Sequence, residues 1–185
     1  YFLDKIENLL KESIAVKQRL IKDKIPAIFE ITELIIQSLN NGGKLIVFGN
    51  GGSASDAQHI AAELVGRFKK ERRALPAVAL NTNTSVITAL ANDYGYAVIF
   101  SRQLEALGQA GDIAMGISTS GESMSVNKAV LLAKRLGLKT VGLTGKTGGK
   151  LAKIADVSLV VPSNNTARIQ EAHITVGHII CELVE

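Results

Sequence analysis

Apolar residues recur along this chain in two rhythms. At the start, Phe2, Leu3, Ile6, Leu9, Leu10 and Ile14 fall three or four residues apart, and so do Ile28, Ile31, Leu34, Ile35 and Leu39. That spacing predicts two amphipathic helices, over 1–22 and 24–41, with Pro26 suited to the first turn of the second. The rhythm then changes. Short apolar runs at 44–48, 77–80, 112–117, 139–144 and 156–161 read as strands, with helical stretches between most of them. Such strands, alternating with helices, predict an α/β fold: a five-stranded parallel sheet covered by helices on both faces, a three-layer sandwich. No repeat, linker or low-complexity segment interrupts the pattern. Residues 1–185 therefore read as one domain, with a leading helix pair (1–41) and a sheet core that ends in a C-terminal helix (42–185). No strand precedes the helix pair. Its stripes suit packing on a partner subunit or over the chain's own sheet, and periodicity leaves both open.

Composition narrows the function. A hydrophobic content of 46% supports a packed core, while 4% aromatics and no Trp argue against nucleic-acid stacking platforms. The net charge of +4 is mild and compatible with a small anionic substrate. Cys181 is the single cysteine, which excludes an intramolecular disulfide and fits a reducing compartment. No apolar run reaches membrane-spanning length, and Asp4, Lys5 and Glu7 do not suit a signal peptide. The expectation is a cytoplasmic protein that binds neither membrane nor nucleic acid.

The chemistry concentrates where strands end. Ser118-Thr119-Ser120-Gly121-Glu122-Ser123 separates the third strand from a helix whose apolar positions include Met124, Val126, Ala129, Val130 and Ala133. A strand-to-helix junction offers free N–H groups and the positive end of the helix dipole. One Ser would satisfy a helix cap, and four hydroxyls in six residues exceed that need. The stretch reads as a phosphate-binding loop, and not a Walker loop, since no Gly-Lys-Ser/Thr follows. After the first strand comes Gly49-Asn50-Gly51-Gly52-Ser53, then a helix predicted to run to about Phe68, with Ser53 and Asp56 spaced like a capping box. The strict dinucleotide spacing fails at Ala54, and Asn81 stands where a ribose would need an acid. On that helix His59 and Glu63 share a face, able to share a metal or a substrate proton, although most such pairs are surface pairs. Arg67 follows four residues later on the same predicted face. Asn92-Asp93-Tyr94-Gly95 is expected to break the next helix, and Asp93 could meet sugar hydroxyls or simply form a turn. Thr144–Gly149 imitates part of a nucleotide loop and reads as a turn into a short helix. In the final helix Gln170, Ile174 and His178 form a stripe among apolar neighbours, which leaves His178 open between a core histidine and a functional one.

These motifs carry a resemblance. Gly-Asn-Gly-Gly-Ser (49–53), the Gln-His-x-x-x-Glu helix (58–63), Ala-Asn-Asp-Tyr-Gly (91–95), Gly-Ile-Ser-Thr-Ser-Gly (116–121) and Ala-Arg-Ile-Gln-Glu-x-His (167–173) resemble the phosphoheptose isomerases, bacterial members of the sugar isomerase (SIS) superfamily. The resemblance spans nearly the whole chain and implies a SIS, flavodoxin-like fold. It implies isomerisation of sedoheptulose 7-phosphate to D-glycero-D-manno-heptose 7-phosphate, an early step toward lipopolysaccharide or capsule heptose. It further implies a homotetramer with active sites at subunit interfaces and one zinc ion per subunit. Carried over by motif, Ser118, Thr119, Ser120 and Ser123 would hold phosphate. Asn50, Gly51, Gly52, Ser53, Asn92 and Asp93 would line the sugar. His59, Glu63, Gln170 and His178 would hold zinc, with Glu63 and Gln170 also meeting substrate and Glu63 and His178 acting as the acid–base pair. Glu122 departs from the family pattern, where a neutral residue is expected, and an anion beside a phosphate is costly unless it turns away or meets a cation. The rival implied by the same superfamily is a non-catalytic adaptor that binds the replication initiator. That relative lacks the terminal histidine and has an altered serine loop, and this chain has both features.

Overall fold

The computed structural model describes residues 1–185. In chain order the helices are α1 (Phe2–Asp23), α2 (Ile25–Asn40), α3 (Gly52–Val65), α4 (Thr84–Tyr94), α5 (Ser101–Leu107), α6 (Met124–Arg135), α7 (Gly149–Ile154) and α8 (Thr166–Val184). The strands are β1 (Leu45–Gly49), β2 (Ala77–Ala79), β3 (Ile113–Ser118), β4 (Lys139–Gly145) and β5 (Val157–Val161). All neighbours pair parallel in the order β2-β1-β3-β4-β5, the flavodoxin-like order. The expected sheet is there, with strand ends shifted by about one residue, the usual uncertainty of such boundaries.

Alternation along the strands builds two cores. Leu45 and Val47 face one way, with Ile31, Ile35, Ile60, Leu64, Val176 and Ile180 from α2, α3 and α8. Ile46 and Phe48 face the other, against Leu104, Val126, Val130 and Leu151 from α5, α6 and α7. Burial on both faces explains why these strands are continuously apolar. The helix pair divides its labour. Ile28, Ile31 and Ile35 of α2 are buried on the chain's own sheet, whereas Phe2, Leu3, Ile6, Leu10 and Ile14 of α1 are all more than half exposed.

Several local expectations are corrected. The capping box is absent: α3 starts at Gly52, with Gly51 as its N-cap at φ +57 and no side-chain cap. Ser53 lies inside the helix and is buried, and one Asp56 oxygen is buried without a partner. The helix ends at Val65, not Phe68, because Gly66 leaves helical geometry, so Arg67 leaves the Glu63 face and pairs with Glu71 at 3.5 Å. Asn92 and Asp93 do not break α4. They form its last turn, and Gly95 at φ +84 ends it. Met124, expected on the buried stripe of α6, is 64% exposed, since it is the first residue of the helix and projects beyond the core.

Candidate active site

The sheet reverses its winding between β1 and β3. Ligands of open α/β sheets bind at such a switch point, beyond the carboxyl ends of the strands. The loop after β1 (Asn50–Gly52) and the loop after β3 (Thr119–Ser123) flank this crevice. One hydrogen bond crosses it: Asn50 Nδ2 donates to Ser123 Oγ at 2.8 Å, and also reaches Ser125 Oγ at 3.1 Å. The Tyr96 hydroxyl donates to Asn50 Oδ1 at 2.7 Å. Asn50 is thereby fixed at both ends. Neither Tyr96 nor Ser125 stood out in the sequence.

The serine loop is shaped by its backbone. The Gly121 N–H donates to the Ser118 carbonyl at 3.0 Å, and the Gly121 carbonyl accepts from Leu151 N–H at 2.9 Å and Asn127 Nδ2 at 3.2 Å. Gly121 has φ +71, and a Cβ there would fall on the Gly148 carbonyl oxygen. Ser123 is the N-cap of α6, yet its side chain makes no cap bond. The first N–H groups of α6 thus keep their outward donors, and the Ser123 hydroxyl stays with Asn50. Glu122 turns away from the loop. Its Oε1 accepts the Lys150 N–H at 2.9 Å, in the first turn of α7, which relieves the charge expected to oppose a phosphate.

The second cluster lies where α3 and α8 run side by side in the same direction. Gln170 meets Gly52, Gly177 packs on Ile60, and Glu185 meets residues 68–70. Gly177 matters here, because a Cβ would stand 2.9 Å from the Ile60 side chain and push the helices apart. This contact brings together His59, Glu63 and His178, with ligand atoms all within 4.8 Å of one another. His59 Nε2 lies 2.9 Å from Glu63 Oε1 and 3.3 Å from His178 Nε2. A single N–H on His59 Nε2 would have to be divided between the Glu63 carboxylate and the His178 nitrogen. A cation in place of that proton would be met by all three groups. Two nitrogens at about 2.1 Å from a tetrahedral zinc stand about 3.4 Å apart, so the donor set and the His59–His178 spacing suit such an ion, while Glu63 would have to shift to join them. Gln170 sits eight residues before His178, about 12 Å along the helix, with its amide against Gly52. The polar contacts that join the triad do not include it.

Burial tunes the neighbours. Burial pushes the Asp56 carboxyl up to about 6, with His59 opposing. His173, on the same helix as His178, is fully enclosed and held down to about 4 by burial, while its Nε2 meets the Thr144 carbonyl at 3.0 Å. Burial raises the Cys181 thiol to about 12, with the Glu63 and Glu185 carboxylates adding to it, so it is inert. Asn92 and Asp93 are exposed at the end of α4, and Asn92 Nδ2 donates to Asp93 Oδ1 at 2.9 Å.

A parallel sheet of this order with a serine loop at the switch point is a doubly wound α/β ligand-binding architecture, and the SIS domain family pattern matches residues 8–145. The chain is 56% identical to the phosphoheptose isomerase of Thermodesulfovibrio yellowstonii over 182 residues, 98% of this chain and 90% of that relative. The solved phosphoheptose isomerase of Neisseria gonorrhoeae superposes with a TM-score of 0.95 at 44% identity, covering 100% of this chain and 98% of that one. That of Francisella tularensis gives 0.96 at 40% identity, with the same coverage. The chain belongs to the phosphoheptose isomerase family of SIS-domain proteins.

Proposed function

We propose that this protein is an aldose–ketose isomerase that converts sedoheptulose 7-phosphate to D-glycero-D-manno-heptose 7-phosphate. The observation that carries the reading is the convergence of Glu63 with His59 and His178 on a fold whose switch point holds the serine loop. An adaptor on the same fold has no use for a carboxylate and two imidazoles aimed at one point.

Ser118, Thr119, Ser120 and Ser123, with the N–H groups of α6, hold the phosphate. Asn50, Gly51, Gly52 and Ser53 line the sugar, and Asn92 and Asp93 complete that lining. A Cβ at Gly51 would meet open space, whereas at Gly52 it would meet the Gln170 amide. His59, Glu63 and His178 would hold one zinc ion per subunit, and Gln170 would have to swing away from Gly52 to be a fourth ligand. Zinc bound there supplies Lewis acidity that favours negative charge on the two substrate oxygens. Glu63 removes the proton from carbon and returns it to the adjacent carbon. Its Oε1 is turned to His59, and Oε2 has no hydrogen-bond partner within the chain, which leaves one oxygen for this task. His178 passes a proton between the two oxygens once its Nε2 is free of the metal, because one ring nitrogen cannot hold both. A hydride shift between the carbons is the rival route, and it carries a carbon-bound deuterium to the neighbouring carbon without exchange with solvent.

The exposed stripe of α1 supports a homotetramer with active sites at subunit interfaces. Light scattering at micromolar concentration should give four subunits; a monomer refutes the assembly. No helix is long and apolar enough to cross a membrane, and the single buried thiol suits the reducing cytoplasm. The test of function is incubation with sedoheptulose 7-phosphate, with and without chelator. The aldose should form, and chelation should slow it; binding without turnover in zinc-supplied protein sinks the enzyme reading.

A further inference from the structure

Residues 66–76 leave α3 and reach β2 without helix or strand, yet one residue of this stretch, Phe68, is a wall of the triad. Its ring stacks on His178, with centroids 5.4 Å apart and planes at 25°. His59 meets the same imidazole edge-on at 4.9 Å. With a ring on its face and a ring at its edge, His178 has its side-chain rotation set by packing. What holds Phe68 there is at the far end of the chain. Glu185 accepts three successive backbone N–H groups: Phe68 at 2.7 Å, Lys69 at 2.7 Å and Lys70 at 2.9 Å. Arg72 closes the clasp. One guanidinium nitrogen lies 3.0 Å from Glu185 Oε1 and also donates to the Glu63 carbonyl at 3.0 Å, and the other donates to the Leu64 carbonyl at 2.9 Å. Burial would raise the Glu185 carboxyl, but the three amides and Arg72 outweigh it and bring it down to about 2, so the clasp stays charged.

We infer that Glu185 is a positioning residue for the isomerase site: by clasping the 68–70 amides it holds Phe68 against His178 and fixes the direction of the His178 Nε2. The inference rests on the isomerase reading for its kinetic consequence, and on geometry alone for its structural one. Glu185 touches neither substrate nor the triad. It acts through the irregular segment, which has no ladder or helix of its own to keep Phe68 in register. Partners that orient a ligating histidine from outside commonly matter about 10–100-fold in metal affinity or activity.

The test uses the full chain with its histidines carbon-13-labelled. In metal-free protein, the His178 Cε1–H resonance should carry an upfield ring-current shift that Phe68→Leu abolishes. Glu185→Ala should move that resonance to the Phe68→Leu position. With zinc restored, its kcat should fall about tenfold, while KM for the sugar phosphate stays within about twofold. The double variant should be no slower than Phe68→Leu alone, since both changes break one linkage. A His178 resonance left in place by Glu185→Ala overturns the inference, and so do losses that multiply in the double variant. If Glu185→Ala does not fold, Glu185→Gln, which keeps one acceptor oxygen and loses the charge, should displace the resonance part of the way, and no displacement is again fatal. If the wild type turns over no sugar phosphate, the isomerase reading fails while the resonance still decides whether Glu185 sets His178.

Discussion

The serine loop and the His59–Glu63–His178 triad are built on opposite principles. The loop is a backbone construction. Gly121 is forced into positive φ, its carbonyl is shared by Leu151 and Asn127, and even Glu122 is tied to the Lys150 N–H. Its shape is set by backbone hydrogen bonds. The triad is a side-chain construction. His59 is exposed, Glu63 and His178 are half-buried, and they meet only through one another's side chains. The loop is set by its backbone, and the triad is a cluster of side chains with the donors of a metal site. Binding and chemistry should therefore separate on mutation.

The largest effect is expected in the triad. His178→Gln should lower turnover by about a hundredfold or more, the scale of lost acid–base catalysis, with phosphate affinity unchanged. Equal damage to binding in a calorimetric titration would merge the two regions that we hold apart. Next comes the loop's backbone. Gly121→Ala must relieve positive φ and collide with the Gly148 carbonyl. It should cost about 1–3 kcal/mol or more in stability and weaken sugar-phosphate binding, as denaturant melts and titrations on the same protein would read. A smaller, purely local loss is expected from Ser120→Ala or Ser123→Ala, about 1–3 kcal/mol of binding to a charged group each, seen as a raised KM with kcat retained. Unchanged affinity in both would end the phosphate assignment.

The smallest effect concerns His173, which shares α8 with His178 but belongs to the core. Its folded pKa of about 4 lies below the usual value of 6.5, so the unfolded chain binds more protons between these values. Stability should fall as pH drops from about 6.5 toward 4, and His173→Gln should flatten that slope in denaturant melts. An unaltered slope would mean that His173 is not the buried neutral histidine of the pair.

That pair shows what the sequence could convey. Two histidines five residues apart in an apolar helix look alike, and only the packing of α8 on α3 through Gly177 sends one into the core and the other to the triad. The strands were legible because a sheet buried on both faces writes continuous apolar runs. The loops after β1 and β3 were legible because glycine and hydroxyl clusters interrupt those runs at strand ends. Tyr96, Phe68 and Glu185 were not. Their contacts join residues as much as 117 positions apart, and nothing in local spacing marks such a contact. The capping box misled for a related reason: Ser53 and Asp56 have the spacing, but Gly51 at positive φ starts the helix two residues earlier, and Ser53 is buried. On α1 and α2, two equally strong stripes had different fates, and periodicity alone could not tell a face buried on the sheet from one left bare.

The most direct test of the division between a binding loop and a catalytic triad is Glu63→Gln, measured for binding and turnover of sedoheptulose 7-phosphate in one zinc-supplied preparation. The prediction is a dissociation constant within about threefold of wild type, with turnover down by about a hundredfold or more. Near-normal turnover would contradict Glu63 as the base, and lost binding would contradict the separation of the two regions.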